Sequence, residues 1–228
     1  MLHQTHGNYL TAFFAILLTI VVGVLFLVLG ETAFKRIGFS SFQFGLIMVA
    51  TLIGSGINIP VREVKSVEPL VEMREARAFG MRFRIPHVGY QQVSTIVAVN
   101  AGGAIIPVLV SVYILWSHPT ALPYALVGTV VTAFLVHLMA RKVRGVGIVT
   151  PALLPPMAAA VISYILLPGS PAVVAYVSGS IGALVGADLT NLQGIAKLGA
   201  PMASIGGAGT FDGVFLTGLV AVLLTPLL

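Results

Sequence analysis

Seven stretches of this chain are apolar and nearly uncharged over about the 20 residues that a membrane-spanning helix needs. They are Tyr9–Gly30, Ser40–Ile59, Val93–Trp116, Ala121–Ala140, Thr150–Leu167, Ala172–Ala187 and Phe211–Leu228. Composition carries the same message: of 228 residues 57% are hydrophobic and 8% charged, where a soluble domain carries roughly 25% charged residues. A soluble globular fold does not accommodate that balance, and neither does disorder, because there is ample apolar surface to bury. With no cysteine, disulfide frameworks, thiolate metal sites and cysteine nucleophiles drop out. The sequence predicts an all-α polytopic membrane protein of about seven transmembrane helices, the later ones short or broken, in a single integral domain over residues 1–228. The first run is not a cleavable signal peptide, since it lacks a basic leader and its apolar stretch is too long.

The net charge of +5 reflects bases in loops, not a nucleic-acid partner. Lys35 and Arg36 follow the first run; Arg62, Lys65, Arg74, Arg77, Arg82 and Arg84 lie in the 62–92 loop; Arg141, Lys142 and Arg144 cluster; Lys197 stands alone. Seven spans with the N-terminus inside leave all but Lys35 and Arg36 in the cytoplasm, the arrangement the positive-inside rule favours. The expected location is the cell membrane, with lipid as the surrounding partner. Residues 62–92 form the one hydrophilic segment of any size, a cytoplasmic loop in which Glu63, Glu68, Glu72 and Glu75 interleave with the bases. Val61–Val67 and Met81–Val88 alternate in part between apolar and polar residues, the pattern of a small hairpin.

The chain has only two aspartates, Asp188 and Asp212, and both border the last two apolar runs. Ionisable groups at membrane depth are costly and usually face a cavity, a partner or a pathway. The alternative is a pair of carboxylates at helix ends in the headgroup region, where they cap. The segment between them contains Gly194, Gly199, Gly206, Gly207, Gly209 and Pro201, so it cannot be one uninterrupted helix. Such backbone at membrane level must be buried in protein or line a water-filled space. Gly182 and Gly186 have the spacing that admits a second helix at close range. Asn58 and Asn100 sit beside glycines and prolines in apolar surroundings and need polar partners. His3 and His6 are terminal and the other histidines dispersed, so neither a metal nor a cofactor is expected.

The strings NAGGAIIP (Asn100–Pro107), GADLTNL (Gly186–Leu192) and GAPMASIGGAGTFDGVFLTG (Gly199–Gly218) resemble a bacterial and archaeal membrane-protein family of unknown function, DUF1614. That resemblance implies a multi-pass architecture and brings no activity. A weaker resemblance is to intramembrane aspartyl proteases of the presenilin and preflagellin-peptidase type. Gly209, Thr210, Phe211 and Asp212 are similar to their Gly-x-hydrophobic-Asp motif, and Asp188 would be the second catalytic aspartate, on the preceding helix. The sequence departs from that group in having no Tyr before Asp188 and in carrying Pro151–Leu153 ahead of the pair.

Two functions follow as expectations. In the first, Asp188 and Asp212 are a catalytic dyad that cuts a transmembrane peptide. In the second, the same carboxylates bind a cation or proton in a small transporter, with Asn58, Asn100, Asn191, Gly209 and Thr210 in support. The chain is small for a carrier, which favours a homo-oligomer. A non-catalytic scaffold presenting residues 62–92 to a partner is the third reading.

Overall fold

The computed structural model describes residues 4–78, 81–143, 147–167, 169–195, 202–207 and 213–228. Helix α1 runs Gln4–Arg36 and α2 Ser41–Ser55; strands β1 (Asn58–Ala78) and β2 (Met81–Asn100) follow. A π-helical turn, Ala101–Ile105, leads into α3 (Ile106–Ser117), and a 3-10 turn, Pro119–Ala121, into α4 (Leu122–Met139). Two short strands, β3 (Arg141–Val143) and β4 (Gly147–Val149), precede α5 (Leu154–Leu166) and α6 (Pro171–Ala183). Helix α6 continues as a π-turn, Leu184–Asp188, then as a 3-10 turn, Leu189–Asn191. The short α7 (Leu192–Ile195), strand β5 (Met202–Ile205) and α8 (Gly213–Leu224) complete the order.

Local chemistry sets the boundaries. Ser40 and Gln43 form a reciprocal capping box at the start of α2, with bonds of 2.8 and 3.2 Å, which satisfies two backbone donors that a helix start leaves open. Prolines stand in the first turns of α3, α5 and α6, where a missing N–H costs nothing. The Pro155–Pro156 pair thus opens α5.

Three helical stretches are long and apolar enough to cross a membrane: Thr11–Arg36, Pro119–Met139 and Pro171–Asn191. The helices at Ser41–Ser55, Ala101–Ser117, Leu154–Leu166 and Gly213–Leu227 are apolar but shorter. The seven expected runs thus each contain an apolar helix, with a changed distribution of lengths. The sixth, expected to stop at Ala187, passes through Asp188 to Asn191. The third is shorter than expected, because Val93–Asn100 is strand and the helix begins at Ala101.

The all-α expectation is corrected at the hairpin. Far from a small element within 62–92, β1 and β2 pair antiparallel from Asn58↔Asn100 to Ala78↔Met81, with one bulge at Pro60/Arg62. Proline has no N–H for the ladder, and a bulge is one of the few places in a sheet that tolerates it. Strand β5 then adds parallel to β2, from Ile96↔Met202 to Val99↔Ile205.

The connections sort into two ends. At one, Arg36, His118, Gly169–Val173, Thr225 and Pro226 border a common pocket. At the other lie the base of the hairpin, β4, Asp188 and β5. Arg62, Lys65, Arg74, Arg77, Arg82 and Arg84 of the hairpin and Arg141 and Lys142 of β3 belong to the second end; Lys35 and Arg36 belong to the first.

Helix α6 is the hub, with every residue from Val173 to Ser180 buried. Its Ser178 and Gly182 meet Gly128 and Thr132 of α4 in parallel order, and Gly186 meets Ala133 and Val136. A side chain at Gly182 would strike Thr132 at 2.7 Å, so the small residues set how closely the two helices pack. Gly218 of α8 lies against Gly179 and Ser180 on another face of α6. Near the first end the core closes on aromatic rings, with Phe34 5.2 Å from Phe44, 5.4 Å from Phe39 and 5.7 Å from Tyr176.

Candidate functional site

Asp188 ends the π-helical turn of α6. A π-turn adds a residue to the helical repeat and redirects the side chains that follow, which is why such turns concentrate at functional positions. Thr190 and Asn191 hold the distortion: Thr190 Oγ1 donates to the Gly186 carbonyl at 2.7 Å, and Asn191 Nδ2 to the Gly186 and Ala187 carbonyls at 3.2 and 2.9 Å. Asn191 is 4% exposed; its amide nitrogen is engaged by its own helix. His137 Nδ1 lies 2.7 Å from Thr190 Oγ1 and ties α4 to the same turn.

The half-buried Asp188 receives a backbone donor from across the chain: the Gly206 N–H donates to Oδ2 at 2.7 Å. Gly206 has φ +81 and Gly207 φ +50, a left-handed pair that turns the chain out of β5 and is natural only to glycine. A Cβ on Gly206 would also meet the Ala104 nitrogen at 2.6 Å. Residue 206 is therefore glycine for both its conformation and its closeness to the π-turn at 101–105.

Asn58 and Asn100 meet one step away. Asn100 is buried and spends its whole amide: Oδ1 accepts from the Gly103 N–H at 2.8 Å, and Nδ2 donates to the Ser55 carbonyl at 2.8 Å and to Asn58 Oδ1 at 3.1 Å. Ser204 Oγ donates to the same Asn58 oxygen at 2.6 Å. Asn58, Asn100 and Ser204 thus fasten α2, the base of the hairpin and β5 together. Two residues beyond Ser204, the turn that follows β5 delivers the N–H that holds Asp188. The two asparagines join the site through β5 and act on its geometry.

A cavity of about 290 Å³ opens beside Asp188, bordered by Thr150, Pro151, Ala183, Gly213, Val214 and Thr217 among others. At about 30 Å³ per water it has room for several. Among the described residues Asp188 is the one charged group on its wall, and Thr150 and Thr217 supply hydroxyls. Asp212, Gly209 and Thr210 lie outside the described residues; Gly213, which follows Asp212 in sequence, is part of the wall. No cluster of three or more His, Asp or Glu that could hold a metal occurs among the described residues.

The sequence had marked Asp188, Asn58, Asn100 and Asn191. It had marked Gly206 only as a helix breaker, and had not marked Ser204, Thr150, Thr217 or the His137–Thr190 contact. The Gly206-Gly207 pair was a detectable signal for a left-handed turn, but nothing local assigns that turn to a carboxylate 18 residues upstream. No curated protein and no solved structure matches the chain. Residues 52–224 match a family described as a protein of unknown function, DUF1614. That stretch includes the hairpin, the asparagine pair and Asp188, and on its extent the chain belongs to the DUF1614 family.

Proposed function

We propose that the protein is a multi-pass membrane protein, N-terminus in the cytoplasm, that works as an intramembrane aspartyl protease at the Asp188 cavity. The observation that carries this reading is the wall of that cavity: a carboxylate oriented by a backbone N–H, beside Gly213, the neighbour of the chain's other aspartate. Alternation of seven spans puts the hairpin and β3, with their bases, in the cytoplasm, in keeping with the positive-inside rule. In the mechanism, Asp188 and Asp212 share one proton, because two carboxylates in contact do not both ionise. The ionised member takes a proton from a cavity water as that water attacks the scissile carbonyl, and the protonated member donates to the carbonyl oxygen. Strand β5 is an edge of its sheet, so a substrate segment unwound from its helix could add alongside it and reach Asp188 in extended form.

A second reading has its own support. Helix α6 breaks from π to 3-10 geometry at Asp188, and discontinuous helices bind cations and protons in secondary transporters. Reconstitution of Asp188→Asn and Asp212→Asn separates the two. The protease reading expects both single variants to lose cleavage of a co-reconstituted single-span substrate by at least about a hundredfold, with folding intact. Full cleavage by either variant removes the dyad, and a changed cation or proton flux without cleavage in the parent protein transfers the site to transport.

A further inference from the structure

At the end of the molecule away from Asp188, a cavity of about 350 Å³ is bordered by Arg36, His118, Ser170, Ala172, Val173 and Thr225 among others. Its chemistry is one-sided. Among the described residues the wall holds a guanidinium and an imidazole and no acid. The nearest carboxylate in sequence, Glu31, is taken by Lys35 in a 2.6 Å ion pair, and Arg36 has no carboxylate partner among the described residues. His118 Nδ1 donates to the Ile114 carbonyl at 3.2 Å, which leaves Nε2 to donate to an anion in the doubly protonated ring. Ala172 and Val173 belong to the first turn of α6, a 13-residue helix whose N-cap, Ser170, makes no side-chain capping bond. The open donors of that turn and its dipole add to the positive character of the wall.

The surroundings narrow the anion. Next to His118 in sequence, Trp116 and Pro119 border an apolar groove with Val112, Leu115 and Leu122, and Trp116 is 85% exposed. Arg36 follows closely on the apolar run of α1, at the level where hydrocarbon gives way to headgroups once α1 spans the bilayer. A free phosphate has no use for an apolar groove; a lipid fills both.

We infer that the Arg36–His118 cavity binds the phosphate of a glycerophospholipid, with one acyl chain along the Trp116 groove. Arg36 offers the planar fork that pairs phosphate oxygens bidentately. This rests on the membrane reading above and is independent of any chemistry at Asp188.

The test is native mass spectrometry of the full chain in detergent, titrated with phosphatidylglycerol, with a diacylglycerol of the same acyl chains, and with inorganic phosphate. The inference expects phosphatidylglycerol to bind at least about tenfold more tightly than diacylglycerol. Arg36→Gln and His118→Ala should each weaken it about tenfold, Arg36→Lys less, with unfolding midpoints unchanged. Trp116→Ala should weaken the lipid and leave inorganic phosphate unaffected. Equal binding of diacylglycerol overturns the proposal, as does Arg36→Gln that binds normally. Inorganic phosphate that matches the lipid in affinity and ignores Trp116→Ala also overturns it, in favour of a free-anion site. A chain that alkaline carbonate strips from membranes fails the membrane reading itself, a result distinct from all of these.

Discussion

Helices α1 and α6 each carry a long apolar stretch, yet 67% of that of α6 is buried within the protein and 0% of that of α1. Side-chain size separates them. Helix α6 offers Ala175, Ser178, Gly179, Ser180, Gly182 and Ala183 to its neighbours, and α1 carries Phe, Leu, Ile and Val on every side from Phe13 to Leu29. Small residues let backbones approach, while large ones facing lipid gain nothing by association, since hydrocarbon is as apolar as they are. Hydropathy assigns both helices to the same solvent; side-chain volume says which one is central. The family match, which begins at residue 52, contains α6 and not α1.

The largest effect should come from the one part of α1 that resembles α6. Phe34 is fully buried among Phe39, Phe44, Tyr176 and Phe215, so Phe34→Ala should cost about 3–5 kcal/mol in reversible unfolding in micelles. A loss under about 1 kcal/mol would detach the foot of α1 from the core. Next, Val21→Arg should oppose insertion of α1 by about 2.5–3.5 kcal/mol, read by glycosylation mapping; undiminished insertion would deny that this face meets lipid.

Gly182→Leu should destabilise by about 1–3 kcal/mol through overpacking against Thr132, and a neutral result would break the assignment of α6 as the hub. Tyr176→Phe should reverse the sign. The Tyr176 hydroxyl is sealed in the core beside Ser180 and, among the described residues, makes no well-aligned hydrogen bond, so its removal should raise stability by up to about 1 kcal/mol, and a loss would reveal a bond to Ser180. Leu18→Ala, on the uncovered face of α1, should stay within about 0.5 kcal/mol by the same unfolding measurement.

These contrasts mark what the sequence could disclose. The run from Tyr9 to Gly30 states its helix outright, because length and hydropathy are local properties. The run from Val93 misled, because Val93, Thr95, Ile96, Val97 and Val99 are as apolar or branched in a strand as in a helix. What makes them strand is their pairing with β1, Thr95 with Val64 and Val97 with Arg62, a partnership made across the hairpin. The hairpin itself was legible as alternation at Val61–Val67 and Met81–Val88, but not its reach. At the site, Asp188 stood out by rarity alone. Gly206 and Ser204 did not, because they gain their role only when β5 lies parallel to β2, a contact between residues about a hundred positions apart.

Among the described residues, the long hairpin pairs with another strand at its root. Beyond the four residues of β2 that pair with β5, its arms continue to Met81 for about 50 Å at roughly 3.3 Å per residue. That makes it an oar with its rowlock at Ile96–Val99: a swing of about 5° carries the blade through about 4 Å. Whatever grips the blade pulls, with the full leverage of the shaft, on the strand whose next N–H holds Asp188 in place.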